Sequence, residues 1–169
     1  MAVSTDQIVV LTSAQMDQKI RRMAYEIYES NYGTNELILA GICEQGESLA
    51  KKLAAILEEI STIKAQVIMV PLDKKNPSNP MPEDSISLNL TNKVVVMVDD
   101  VLNTGKTLAY SLKPFLDKKI KRIEVAVLVN RSHTAFPISP QYTGYELSTT
   151  LSEHIVVKMT GKDKGVYLT

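Results

Sequence analysis

Short, wholly apolar runs alternate along this chain with longer segments whose apolar residues recur every three or four positions. The first run, Ile8-Val9-Val10-Leu11, reads as a short strand. Thr12 and Gln15 then have the spacing of a capping box, with Ser13 as an alternative cap. Met16, Ile20, Met23, Ala24 and Ile27 follow on one helical face, on a helix ending near Gly33. Residues 37–42 (Leu-Ile-Leu-Ala-Gly-Ile) predict a strand buried on both faces. A helix from about Glu47 to Ile60 would bury Leu49, Leu53, Ile56, Leu57 and Ile60. Residues 66–70 form the next strand. From Asp73 to Asp84, Pro77, Pro80 and Pro82 give the strongest loop signal in the chain. Residues 85–90 alternate polar and apolar, as a two-sided strand does.

Residues 93–98 predict another buried strand. Residues 104–117 predict a helix with Leu108, Leu112, Phe115 and Leu116 inward, bent or shortened at Pro114. Residues 124–129 form a further buried strand, and the tail holds short strand-like pieces, notably 155–159. No internal repeat and no linker interrupts the series, so residues 1–169 read as one domain. Several strands apolar on both faces, separated by helices, imply an α/β fold with a doubly wound, mostly parallel sheet flanked by helices.

Ligands of such sheets bind beyond the carboxyl ends of the strands. There the sequence places an acid pair: Val94 to Val98 runs into Asp99-Asp100, then Asn103-Thr104-Gly105, then a helix. A tight turn at Thr104-Gly105 would aim backbone amides outward beside the new helix's first turn, making an anion cradle next to two hydrogen-bond acceptors. A sugar phosphate needs that pairing: amides and hydroxyls for the phosphate, carboxylates for vicinal ribose hydroxyls. Other phosphate motifs fit less well. A P-loop needs Gly five residues before Gly105, where Asp100 stands. A phosphorelay receiver needs an Asp ending the next parallel strand, where Asn130 stands, and a dinucleotide fingerprint needs more glycines than Gly105. Two Asp residues serving only as helix caps would repel one another unless a partner charge lay close.

Composition narrows the classes further. Lys plus Arg equals Asp plus Glu at 19 each, so no global field draws the chain to nucleic acid or membrane. The single Cys43 forms no internal disulfide and fits a cytoplasmic location. No His lies near it in sequence, so it reads as an inert, partly buried thiol rather than a nucleophile. His133 and His154 show no metal-ligand spacing, no apolar run is long enough to span a bilayer, and the first residues lack signal-peptide character.

Residues 98–107 resemble the phosphoribosyl pyrophosphate (PRPP) signature of type I phosphoribosyltransferases. Residues 39–42 with Gly46 and 49–53, and residues 126–133 with 136–138 and 142–144, are similar to the pyrimidine-operon attenuator and uracil phosphoribosyltransferase (PyrR) family. The resemblance implies the type I fold, with a small hood built from the termini, and a homodimer. It implies that Asp99 and Asp100 hold the ribose hydroxyls of PRPP as the catalytic pair. Val101, Asn103, Thr104, Gly105, Lys106 and Thr107 would complete the ribose 5-phosphate site. Cys43, Glu44, Gln45 and Gly46 would form the pyrophosphate loop, and Lys74 and Lys75 the mobile loop. Arg131, with His133 and backbone groups near Tyr142 to Tyr145, would recognise the base. Mg²⁺ would be carried mainly on ligand oxygens, with no protein side chain assigned to it. Purine enzymes of this class commonly have an Asp at position 103, which takes a proton from the purine. Asn103 cannot, which points to a pyrimidine such as uracil.

Two segments depart from the family's pattern. Residues 43–47 lack the basic residue that precedes the loop glycine in the relatives, and residues 73–77 replace a longer run containing Arg-Asp-Asp. In the attenuator relatives a basic residue also follows the His at position 133, whereas Thr134 and Ala135 stand here. The basic runs around Lys19 to Arg22 and Lys118 to Arg122 read as solvated helix charge. Three readings follow in order: a uracil-type transferase, a non-catalytic nucleotide- or PRPP-sensing regulator, and an RNA-binding attenuator.

Overall fold

The computed structural model describes residues 7–82 and 84–169. Strand β1 (Ile8–Leu11) leads into helix α1 (Ser13–Ser30), followed by β2 (Glu36–Ile42), α2 (Cys43–Ile60) and β3 (Lys64–Val70). A long irregular stretch precedes β4 (Val94–Leu102). Then come the short helices α3 (Lys106–Ser111) and α4 (Lys113–Leu116), and β5 (Arg122–Asn130), β6 (Tyr142–Glu146), β7 (Ile155–Lys158) and β8 (Gly165–Leu168). Five strands form a parallel sheet in the order β3-β2-β4-β5-β6, and β1-β8-β7 form a small antiparallel sheet from the two ends of the chain. The expected architecture, hood included, is present.

Side-chain alternation explains why the large sheet is covered on both faces. Leu37 and Leu39 of β2, Val94, Val96 and Val98 of β4, and Ala126 and Leu128 of β5 face a core shared with α1, α2 and the hood. Ile38 and Ala40, Val95 and Met97, and Val125 and Val127 face a second core with Leu108, Phe115, Leu72, Ile86 and Leu90. Helix α1 begins on the expected capping box: the Thr12 amide donates to Gln15 Oε1 at 2.9 Å and the Gln15 amide donates to Thr12 Oγ1 at 3.3 Å. All five residues expected on its inner face are buried.

Four expectations need correction. Residues 85–90 pair with no strand; Ile86 and Leu90 are buried, so the alternation records an irregular segment pressed onto the core rather than a ladder. Strand β4 does not stop at Val98 but runs on through the acid pair to Leu102. Pro114 divides the expected 104–117 helix: it sits at the start of α4, where its missing N–H is harmless, and leaves Leu116 67% exposed. Finally, α2 starts at Cys43 rather than Glu47, so Cys43, Glu44, Gln45 and Gly46, expected as a loop, are the helix's first turn. The strand-to-helix reversal is made by Cys43 itself at φ 54°. Gly46 then packs so close that a Cβ there would lie 2.5 Å from the Val98 carbonyl oxygen.

Candidate functional site

The carboxyl end of β4 brings the acid pair to the surface through the core. The Asp99 carboxylate is 3% exposed and that of Asp100 14%. Each is oriented by the next amide in the chain: Asp100 N–H donates to Asp99 Oδ1 and Val101 N–H to Asp100 Oδ1, both at 2.9 Å. Two adjacent acids in so dry a place need a counter-charge, and Lys74 supplies it. Its Nζ lies 2.9 Å from Asp99 Oδ1 and 3.4 Å from Asp100 Oδ1. Burial, together with the neighbouring Asp100 charge, pushes Asp99 up to about 7 despite the ammonium. Burial would lower the Lys74 pKa, but the two carboxylates outweigh it and the ammonium is held above its ordinary range.

Beyond Leu102 the chain turns through Asn103 and Thr104, both exposed, and Gly105, whose φ of 83° is the left-handed conformation a side chain disfavours. Thr104 Oγ1 accepts from the Lys106 amide at 3.3 Å. The turn is braced from outside: Ala135 and Phe136 amides donate to the Thr104 carbonyl at 2.8 and 3.0 Å. The Ile138 side chain lies where a Cβ on Gly105 would come within 3.2 Å. A cleft of about 250 Å³ results, lined by Lys74, Lys75, Pro77, Asp99, Val101 and the run from Leu102 to Leu108. Val101, Asn103, Thr104, Gly105, Lys106, Thr107, Lys74 and Lys75 are therefore assembled in one place. Phe136 and Ile138, given no role from sequence beyond the resemblance, support it; their only signal was that they follow a strand end.

Other expected site residues lie elsewhere. Glu44 and Gln45 are exposed, Gly46 is buried against β4, and none lines the cleft. Cys43 donates its thiol to the Leu72 carbonyl at 2.9 Å. Arg131, 4% exposed, does not line the cleft either: Nε donates to Thr149 Oγ1 at 2.8 Å, and Nη2 to the carbonyls of Thr150 and Glu153 at 3.0 and 2.7 Å. His133 Nε2 meets the Thr149 carbonyl at 2.7 Å. Both side chains thus clasp the segment leading to β7. The carbonyls of Thr143 and Gly144, expected near a base, accept instead from Arg22. Replacing Arg131 with Met should lower stability by about 2–3 kcal/mol, because two part-buried carbonyls and the Thr149 hydroxyl lose a charged donor. Amides of residues 147–154 should then exchange faster with solvent. Unchanged melting with a loss of base affinity would return Arg131 to base recognition.

Residues 9–160 match the family model of the phosphoribosyl transferase domain. The chain is 34% identical over 165 residues to the bifunctional protein PyrR of Macrococcus caseolyticus, covering 94% of this chain and 95% of that one. It is 32% identical over 161 residues to the bifunctional protein PyrR of Limosilactobacillus reuteri, covering 88% and 90%. Among solved structures, a hypoxanthine-guanine phosphoribosyltransferase from Bacillus anthracis is similar in fold, with a TM-score of 0.70 over 88% of this chain and 85% of that one, at 19% identity. The βα frame, the acid pair running into a braced glycine turn, and these matches agree: the chain belongs to the phosphoribosyl transferase domain family and, within the type I phosphoribosyltransferases, to the PyrR family.

Proposed function

We propose that the protein transfers a 5-phosphoribosyl group from PRPP to a uracil-like pyrimidine and releases pyrophosphate, with all 169 residues forming one catalytic unit. One observation carries this reading: Asp99 lines the same cleft as the Asn103–Thr107 turn, and Asp100 beside it reaches Lys74, which also lines that cleft. The carboxylates accept hydrogen bonds from the vicinal ribose hydroxyls. The hydroxyls of Thr104 and Thr107 and the amides of the turn hold the 5-phosphate. A base nitrogen then forms a bond to the anomeric carbon as the bond to pyrophosphate breaks; the electron pair leaves with the pyrophosphate oxygen, and the proton lost from the base N–H goes to the departing pyrophosphate or to solvent. Fixing both partners in one geometry supplies much of such an acceleration. Asn103, which cannot accept a proton as an Asp would, favours a pyrimidine over a purine.

The donor set fits Mg²⁺ in one way only. Asp99 and Asp100 are hard oxygen donors, and no cluster of three or more His, Cys, Asp or Glu residues suited to a metal occurs among the described residues. Ligand oxygens would therefore supply most of the coordination, and the ion would neutralise the departing pyrophosphate. A cytoplasmic homodimer accompanies this reading by family resemblance.

A second reading rests on the exposed Glu44 and Gln45, which bring no positive charge to the pyrophosphate side. In it the protein binds a nucleotide or PRPP as a sensor without turnover. Incubation with PRPP, Mg²⁺ and each common base, following pyrophosphate release alongside direct binding of PRPP and UMP, separates the two. Turnover with uracil is expected. Binding without turnover would favour the sensor, and binding of neither ligand would refute both.

A further inference from the structure

Lys74 is the one cation in contact with the acid pair among the described residues, and its position is fixed from both sides. Just before it, the Leu72 carbonyl is held by the Cys43 thiol at 2.9 Å. Asp73 turns the chain by accepting from the Lys75 amide at 2.9 Å and from Asn79 Nδ2 at 3.4 Å. With its backbone so pinned, Lys74 can leave the carboxylates by rotating its long side chain, without the loop opening. Its Nζ meets the oxygens that a ribose diol would need: Asp99 Oδ1 at 2.9 Å and Asp100 Oδ1 at 3.4 Å. A hydroxyl pair and the ammonium cannot both sit there at hydrogen-bond distance.

We propose that Lys74 is a specificity-determining residue that occupies the ribose-diol position of the free protein and yields it preferentially to ligands carrying a pyrophosphate. This inference rests on the phosphoribosyl site described above. Any ribose phosphate must break the Lys74 ion pairs to reach Asp99 and Asp100. A ligand with a single phosphate delivers that group to the Asn103–Thr107 wall and offers the displaced ammonium nothing. A ligand with a pyrophosphate on the anomeric carbon offers it a new anion, because Lys74 and Lys75 line the same cleft as the turn that takes the 5-phosphate. The exchange of one anionic partner for another is close to neutral for PRPP and unfavourable for ribose 5-phosphate. Discrimination thus comes from an internal competitor rather than from an added contact.

The test is titration calorimetry of wild type, Lys74→Met, Lys74→Gln and Lys75→Met with ribose 5-phosphate and with PRPP, each with Mg²⁺ present. Both Lys74 variants should bind ribose 5-phosphate about tenfold more tightly, the scale of one charge-assisted hydrogen bond no longer broken. Their affinity for PRPP should fall, so the preference for PRPP shrinks by more than tenfold. Lys75→Met should weaken PRPP without the gain for ribose 5-phosphate. Because Met and Gln differ in polarity, one soluble, folded variant of Lys74 suffices. Equal weakening of both ligands would make Lys74 an ordinary phosphate contact and overturn the proposal. So would a ribose 5-phosphate complex in which Nζ still lies within 3.5 Å of both carboxylates. Failure of wild type to bind either ligand would instead sink the site reading itself, and this inference with it.

Discussion

Asp100→Ala should weaken PRPP and ribose 5-phosphate binding at least a hundredfold while leaving the fold in place. The carboxylate of Asp100 is the more open of the two, 14% exposed, and accepts one backbone amide. In the free protein it also accepts from the Lys74 ammonium at 3.4 Å, which ribose hydroxyls would displace. Hydrogen bonds from neutral donors to a charged acceptor contribute about 1.5–3 kcal/mol each, and two of them correspond to a factor of roughly a hundred or more. Removing the carboxylate also relieves its repulsion of Asp99, which keeps Lys74 as its partner. Melting should therefore move little. Unfolding of the variant, or unchanged affinity measured by calorimetry, would show that the acid pair serves structure alone.

How much of this site could be read in the sequence depends on what holds each part. The acid pair, Thr104 and Gly105 are contiguous in the chain, and a strand followed by a helix leaves them few arrangements, so their juxtaposition follows from local pattern. The parallel sheet was legible for a similar reason: β2, β4 and β5 are apolar at every buried position except Asp99 and Glu124. Lys74 is different. It comes from a loop 25 residues before Asp99, and only the place of β3, across β2 from β4, and the pinning of Leu72 and Asp73 set its ammonium on the carboxylates. Like-charge repulsion said that a partner was needed; nothing local said which.

The same limit explains Arg131. A buried arginine after a strand end can point to a ligand or to the chain's own carbonyls, and its partners at Thr149, Thr150 and Glu153 lie in a stretch with no strong pattern. The first turn of α2 was hidden for a backbone reason. Cys43 takes a positive φ, 54°, that sequence gives no cause to expect of a side chain bearing a Cβ. Gly46, read from the resemblance as part of a loop that grips a ligand, lies so near β4 that a Cβ there would come within 2.5 Å of the Val98 carbonyl oxygen.

Asp99→Asn should make the protein more stable than wild type above neutral pH, and the advantage should vanish in acid. Asp99 holds its proton up to about 7 in the folded chain, against an ordinary value of 3.8. An acid whose folded pKa is raised contributes stability that is fully present below the unfolded value and lost as pH rises toward the folded one. Wild type should therefore lose stability from Asp99 between about pH 4 and pH 7, and the loss should level off above that. An uncharged Asn has no such dependence. At ~1.4 kcal/mol for each tenfold change in proton affinity, the ceiling on the difference is roughly 4 kcal/mol. The measured gain should fall below it, because the Asn oxygen can keep the Asp100 amide but no longer pairs fully with Lys74. Glu59, Asp73 and Glu153, all held below their ordinary values by hydrogen bonds, shift both proteins alike in acid and cancel in the comparison. Urea melts of the two proteins at pH 5, 6, 7 and 8 should diverge steadily to pH 7 and run parallel beyond it. Curves parallel across the whole range would mean that Asp99 is ionised throughout and that Lys74 fully offsets its burial.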